Sequence, residues 1–335
     1  MTSNTQIVLA QRPTGRLQES HFEIRRAATP RPAEGQLLVR SVLLSIDAAN
    51  RAWMQGPTYK DAVNEGDVMH GGAIGQVVES RASGFAAGDL VFGELGWQEY
   101  AVLDARAVAP CSDHRPLSHQ LSVLGIAGKT AYHGLVNVSG IAAGETLVVS
   151  AAAGSVGSLV GQIGRIRGAH VVGIAGGPEK CAWVVDELGF DACIDYKHEE
   201  LPAALARHCE GGIDVYFDNV GGPILQAALF AMKLHGRIAC CGAVSMYDGG
   251  SIAGPVGIPG LLVVKRIRME GFIVMDFADR DAEAVRDLSA WTNSGELRVV
   301  EDVIEGLEHA PRGLIGLLAG ENRGKRMIRV SPDPD

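Results

Sequence analysis

TLVVSAAAGSVGSLVGQIGRIRGAHVVGIAGG, from Thr146 to Gly177, is the stretch on which the fold turns. Thr146 to Ala151 is a continuous apolar run, the pattern of a strand buried on both faces. Val156, Leu159, Val160 and Ile163 follow at i, i+3, i+4 and i+7, placing one helical stripe against that strand, and Gly168 is a natural stop. Between strand and helix lies Ala152-Ala153-Gly154-Ser155-Val156-Gly157, which reads A-x-x-G-x-x-G from Ala151. Small residues let the backbone approach a pyrophosphate, and a helix N-terminus supplies partial positive charge. A second apolar strand, HVVGIAG, closes the βαβ unit.

Downstream, strand and helix alternate. A helix carries Cys181, Val184, Val185 and Leu188 on one stripe before Gly189; then come ACIDY, a helix near Ala203 to Cys209, and IDVYFDNVGG. A helix with Leu225, Ala228, Leu229 and Met232 leads to RIACCG and, beyond a glycine-rich loop, to a strand MEGFIVM. About six strands joined by crossovers predict a doubly wound parallel sheet of the Rossmann type in an α/β protein. Upstream, Gln36 to Pro110 alternates short β-rich pieces with turns (LLVRSVLLS, GGAIGQVVES, DLVFGEL, WQEYAVL), the text of a smaller, mainly antiparallel unit. Mixed β and helical text returns near Leu297. The expected division is 1–122 with 299–335 as one domain and 123–298 as the other, since 335 residues exceed what one core comfortably serves.

Composition narrows the function. A formal net charge of -9 and the lack of a basic block argue against a nucleic-acid partner. No apolar run is long enough to span a bilayer, and the N-terminus lacks a basic start followed by an apolar core, so a cytoplasmic location is expected. Six cysteines (Cys111, Cys181, Cys193, Cys209, Cys240 and Cys241) form no C-x-x-C pair, and buried thiols behave as small hydrophobes.

The second strand of a dinucleotide fold commonly ends in Asp or Glu, which accepts from the adenine ribose hydroxyls. Here it ends Ile174-Ala175-Gly176-Gly177, and Lys180 follows in the first turn of the next helix, where a cation gains from a nearby anion. NADP(H) is therefore the expected cofactor.

A β-rich first unit joined to a Rossmann unit resembles the medium-chain dehydrogenase/reductase superfamily, which implies a GroES-like first domain. Its zinc-using members bind metal through a cysteine and a G-H-E motif; this chain has Asp47 in LSIDAANR and His70-Gly71-Gly72 in MHGGAIG, so no metal ligand is expected. Over nearly its whole length the chain is similar to the zinc-free prostaglandin reductase and leukotriene B4 dehydrogenase group, above all its bacterial curcumin-reductase-like branch. The resemblance is carried by LSIDAANRAWM, GWQEYAVL, the Thr146 to Gly177 stretch, LGFDACIDYK, GIDVYFDNVGG, CCGAVSMY, MEGFIVMDFADR and GENRGK. It implies that Gly154, Ser155, Val156 and Gly157 hold the pyrophosphate, that Gly176, Lys180 and Tyr196 lie near the 2′-phosphate, and that Asn219 lies near the ribose. Cys241, Gly242, Ala243, Tyr247, Phe272, Ile273, Val274 and Asn322 would line the nicotinamide side. It further implies a homodimer and a small-molecule enone or enal substrate.

The implied reaction is reduction of a carbon–carbon double bond conjugated to a carbonyl, for which the protein must supply a preorganised donor to the oxygen where charge develops. Tyr247, just past a glycine turn at a strand end, is the catalytic candidate, with a ribose hydroxyl or water as other proton sources. Arg51 and Trp53 are expected at the cleft mouth, and a loop from Ala253 to Pro259, containing Pro255, as a further wall or lid. Lys129 stands beside this region, and Ala49 replaces a tyrosine that many animal relatives carry. Competing expectations are a quinone reductase of the same superfamily, a non-catalytic NADPH-binding protein and a zinc-dependent alcohol dehydrogenase.

Overall fold

The computed structural model describes residues 3–249 and 254–334. The first half contains β1 (Ser3–Leu9), β2 (Phe22–Ala28), β3 (Gln36–Ser45), α1 (Ala49–Trp53), β4 (Gly72–Ser80), β5 (Leu90–Glu94), β6 (Tyr100–Asp104), β7 (Ala109–Pro110) and α2 (Ile126–Tyr132). Then follow β8 (Thr146–Ser150), α3 (Ser155–Ile166), β9 (His170–Ala175), α4 (Pro178–Asp186), β10 (Ala192–Asp195), α5 (Leu201–His208), β11 (Ile213–Asp218), α6 (Gly222–Ala231) and β12 (Met232–Cys240). The chain ends with α7 (Ile258–Lys265), β13 (Arg268–Gly271), α8 (Asp281–Ser294), β14 (Glu301–Glu305), α9 (Ala310–Leu318) and β15 (Lys325–Arg329).

Six parallel strands pair in the order β10-β9-β8-β11-β12-β13. The order reverses between β8 and β11, and such switch points are where α/β sheets open a crevice at the strand C-termini. Burial on both faces explains the unbroken apolar strands. Leu147, Val149, Val171, Val215 and Phe217 pack with α2, α3 and α8, while Val148, Val172, Ile194, Tyr216 and Ile238 pack with α5 and α6. Close approach of α3 demands Gly161, where a Cβ would stand 1.8 Å from the Phe190 ring.

The other large sheet runs β14-β15-β3-β4-β5-β7, with β6 also on β3. Its two strands from the end of the chain therefore sit beside β3 from the beginning, and Ile328 and Leu314 join Leu44 and Ile46 in one core. β1 and β2 form a separate antiparallel ribbon, which sequence patterning did not anticipate.

Three expectations need correction. MEGFIVM is a strand only to Gly271; Cys240 pairs with Gly271 at the end of β12, so Phe272 has no strand to continue on and turns inward against Phe217 and Phe277. Met232 does not close the helix of Leu225 and Leu229 but opens β12, paired with Ile213 before a register shift at which His235 takes φ 62°. In the expected Ala253 to Pro259 loop, Ala253 lies outside the described residues, and Ile258 and Pro259 begin α7, proline serving a first turn whose amides need no partner.

Candidate active site

At the switch point the chain leaves β8 through Ala151, whose φ of 50° lies in the left-handed region. Ala152 N–H donates to Ile174 O at 3.0 Å and Gly154 N–H to Ala151 O at 2.8 Å, closing a tight turn that sets Gly154 as the cap of α3. A Cβ on Gly157 would come within 2.3 Å of Ala151 O, so only glycine permits this approach. The first-turn amides have no intrahelical acceptors. Ser155 Oγ is buried and without a hydrogen-bond partner among the described residues. An orphan hydroxyl beside a helix N-terminus suits a bound pyrophosphate, and this cradle fits the dinucleotide expected there.

Gly176, Gly177, Lys180 and Tyr196, the residues expected at the 2′-phosphate, follow the ends of β9 and β10. Tyr196 is half exposed, and its ring would lie 3.0 Å from a Cβ on Gly176, leaving a flat shelf. The strand carries no terminal acid, yet space brings one close: Asp195, from the end of β10, accepts from Gly177 N–H at 2.8 Å, Lys197 N–H at 3.1 Å and His198 Nδ1 at 2.7 Å. Burial raises its pKa, but these donors outweigh it and hold the carboxyl below its usual range. Its oxygens are thus spent on shaping the loop. Lys180 Nζ donates to Gly320 O at 2.5 Å and Asn322 O at 2.6 Å.

Asn219 is held on the opposite lip by Nδ2–H to Ser150 O at 2.8 Å and by its own N–H to Ser150 Oγ at 2.9 Å. Asp218 O accepts from the amides of Cys241 and Gly242, folding the post-β12 turn against the switch point. Desolvation pushes the Cys240 and Cys241 thiols up to about 12, so neither is a nucleophile at neutral pH. A cavity of about 350 Å³ opens here, lined by Gly221, Cys240, Gly242, Tyr247, Pro255 and Met269 among others. Ala243 adjoins Gly242 in that wall, while Phe272, packed on Phe217 with centroids 6.1 Å apart, leads through Ile273 to the buried Val274. Asn322 is 7% exposed, and its Nδ2–H donates to Gly324 O.

Tyr247 is half-buried, and its Oη accepts from Ala243 N–H at 3.3 Å, leaving its proton free to donate. Beneath it the expectation for Arg51 fails. Arg51 is fully buried rather than at the mouth: Nε donates to Asp248 Oδ1 at 3.0 Å and Nη2 to Gly15 O at 2.8 Å. It anchors the residue next to Tyr247, whose own carbonyl accepts from Gln55 Nε2 at 3.1 Å. Trp53 is also buried, edge-on to Tyr59 at 6.3 Å and covered by Lys60 at 4.4 Å.

Tyr59 escaped sequence reasoning because it sits in an aperiodic turn. Desolvation, then the charges of Asp47, Tyr247 and Glu94, push its phenol up to about 12. Asp47 is fixed from β15: Lys325 Nζ donates to its Oδ1 at 2.5 Å and to Ile46 O at 3.1 Å, and Ser45 Oγ–H donates to Oδ2. Lys129 is drawn away by Asp281, 2.6 Å from its Nζ, and so clasps α2 to α8. Among the described residues no group of three or more His, Cys, Asp or Glu is placed to hold a metal ion.

A Rossmann sheet with a glycine turn and a tyrosine-lined cavity at its switch point, joined to a second, mainly antiparallel sheet, defines a dinucleotide-dependent dehydrogenase or reductase. Residues 5–111 match a family described as N-terminal domain of oxidoreductase, and residues 155–291 one described as Zinc-binding dehydrogenase. The chain is 41% identical over 337 residues to NADPH-dependent curcumin reductase of Escherichia coli, covering 98% of each chain. It is 40% identical to 2-alkenal reductase (NADP(+)-dependent) of Nicotiana tabacum, again covering 98% of each. The crystal structure of CurA in complex with NADPH from Vibrio vulnificus superposes with a TM-score of 0.94 at 40% identity, over 98% of this chain and 100% of that one. The chain belongs to the medium-chain dehydrogenase/reductase superfamily, in the group of the curcumin, prostaglandin and 2-alkenal reductases.

Proposed function

We propose that this protein uses NADPH to reduce the carbon–carbon double bond of α,β-unsaturated ketones and aldehydes. The observation that carries this reading is the half-buried Tyr247 hydroxyl, its lone pair taken by Ala243 N–H, on the wall of an apolar cavity beside the switch point. NADPH, when bound, supplies the hydride for the β-carbon of the substrate. Gly154, Ser155, Val156 and Gly157 hold the pyrophosphate, with Gly176, Lys180 and Tyr196 at the 2′-phosphate and Asn219 at the ribose. Cys241 to Ala243, Phe272 to Val274 and Asn322 border the nicotinamide side.

Tyr247 donates to the carbonyl oxygen as negative charge gathers there, serving as the preorganised donor that a developing enolate needs. The proton for the α-carbon comes from Tyr247, from a ribose hydroxyl or from water. Arg51 and Gln55 keep Tyr247 in place, and Pro255 bounds the substrate space. Asp47, engaged by Lys325 and Ser45, supports a site that works without zinc. Incubation with NADPH and a panel of enones, followed by product NMR, tests the assignment: a saturated ketone is expected, and exclusive formation of an allylic alcohol or quinol refutes it.

We take residues 1–122 with 299–335 as the catalytic domain and 123–298 as the nucleotide domain, a division supported by the pairing of β15 with β3. No helix among the described residues is long and apolar enough to cross a membrane, and a cytoplasmic setting agrees with this. A homodimer is supported by α7, whose Val263 and Val264 are 74% and 67% exposed next to the edge strand β13. Light scattering behind size exclusion checks it, and a 35 kDa species at micromolar concentration refutes it.

A further inference from the structure

Lys180 occupies the third position of α4, close to a helix N-terminus that disfavours a cation, with Arg323, Lys197 and Arg326 nearby. A lysine kept only to meet a ligand phosphate would extend into solvent until the ligand came. This one is already engaged, its Nζ on the carbonyls of Gly320 and Asn322, about 140 residues further along the chain. Those carbonyls belong to the segment Gly320–Gly324, whose other end is fastened to the phosphate loop: Gly324 N–H donates to Ala153 O at 2.9 Å, and Gly154 and Gly324 form a β-bridge. Arg323 adds a second tie to α4, over the Trp183 ring at 5.8 Å and 3.8 Å from Glu179. The span between the two fastenings holds Asn322, buried and turned onto Gly324 O.

We propose that Lys180 is a positioning residue: it latches the Asn322 segment to the adenine end of the site, so that recognition of the 2′-phosphate also sets the nicotinamide end. Two of the three ammonium N–H bonds serve the carbonyls and the third is left for a phosphate oxygen. Burial, then the neighbouring cations, push the Lys180 pKa down to about 8, and a phosphate dianion reverses that pressure and tightens the same ammonium that grips the segment. This inference rests on the reading that places the 2′-phosphate beside Lys180.

Hydrogen exchange without activity tests it. In cofactor-free K180M, amides 320–325 are expected to exchange at least ~10-fold faster than in wild type, with K180R restoring most of the protection. In the wild-type protein, adenosine 2′,5′-bisphosphate, which has no nicotinamide, is expected to protect those amides, while 5′-AMP does not. With NADH as reductant, kcat of K180M should fall about fivefold although no phosphate is present. Unchanged exchange at 320–325 together with unchanged NADH turnover, alongside weakened NADPH binding, leaves Lys180 a phosphate ligand alone and overturns the latch. Faster exchange with an unaltered preference for NADPH over NADH instead keeps the latch and overturns the phosphate assignment. If K180M does not fold, the bisphosphate comparison on wild type decides, absence of protection refuting the coupling.

Discussion

Replacing Arg51 by Met keeps most of the side chain's volume and removes its charge, which isolates what the guanidinium does. The side chain is 0% exposed and its partner Asp248 24%, so the change leaves a carboxylate that water can only partly reach. Breaking a buried pair costs about 3–5 kcal/mol when the remaining charge is fully enclosed. Partial access to Asp248 reduces this, as does its surviving bond from Leu17 N–H at 2.7 Å. Loss of Arg51 Nη1, which is buried with no hydrogen-bond partner among the described residues, relieves a further ~1 kcal/mol. A net destabilisation of about 2 kcal/mol follows, with Gly15 O left unpaired. Because Asp248 adjoins Tyr247, kcat should drop about tenfold, equivalent to ~1.4 kcal/mol of barrier, while NADPH binding changes little. Urea unfolding of wild type, R51M, D248N and the double variant gives the coupling directly. A coupling below about 0.5 kcal/mol, or an R51M kcat equal to wild type, would refute the view that this pair holds the catalytic tyrosine.

Tyr247→Phe is expected to lower kcat for enone reduction about 100-fold with the NADPH dissociation constant within twofold, measured by stopped-flow absorbance and calorimetry; an unchanged kcat assigns the donor elsewhere. Lys180 titrates near pH 8 in the free protein, and a 2′-phosphate dianion raises that value, so NADPH binding takes up a proton and its affinity should fall as pH rises through 8. NADH affinity should stay flat across the same window, and parallel pH profiles by calorimetry would contradict the linkage. Gly161→Ala puts a Cβ 1.8 Å from the Phe190 ring and should cost about 1–3 kcal/mol, seen as a lowered melting temperature; an unshifted transition would mean that the α3 contact relaxes freely.

The parallel sheet was legible because strands buried on both faces leave continuous apolar runs, and because Gly154 and Gly157 stand where strand meets helix. What escaped had no local signal. β1 ends in the buried run Ile7-Val8-Leu9, but its partner β2, FEIRRAA, is exposed along most of its length and shows no sustained apolar alternation. Met232 suits a helix stripe by spacing, but pairing with Ile213 overrides that preference. Arg51 reads as a surface residue until Asp248, 197 positions away, meets it inside the fold. Tyr59 and Lys325 likewise become site residues only through tertiary contact. Within the phosphate-binding half, sequence named the loop but could not show that Asp195 would arrive from a neighbouring strand to support it.

The return of β14 and β15 to the sheet begun by β3 gives the chain a particular order of assembly. The nucleotide-binding half can emerge from the ribosome and settle as a unit, whereas its companion waits for its last strand, the one that carries Lys325 to Asp47. Loss of a few dozen terminal residues would therefore disarm both halves together, parting Lys325 from Asp47 and stripping the Gly320–Gly324 stretch from Lys180 and the turn after β8.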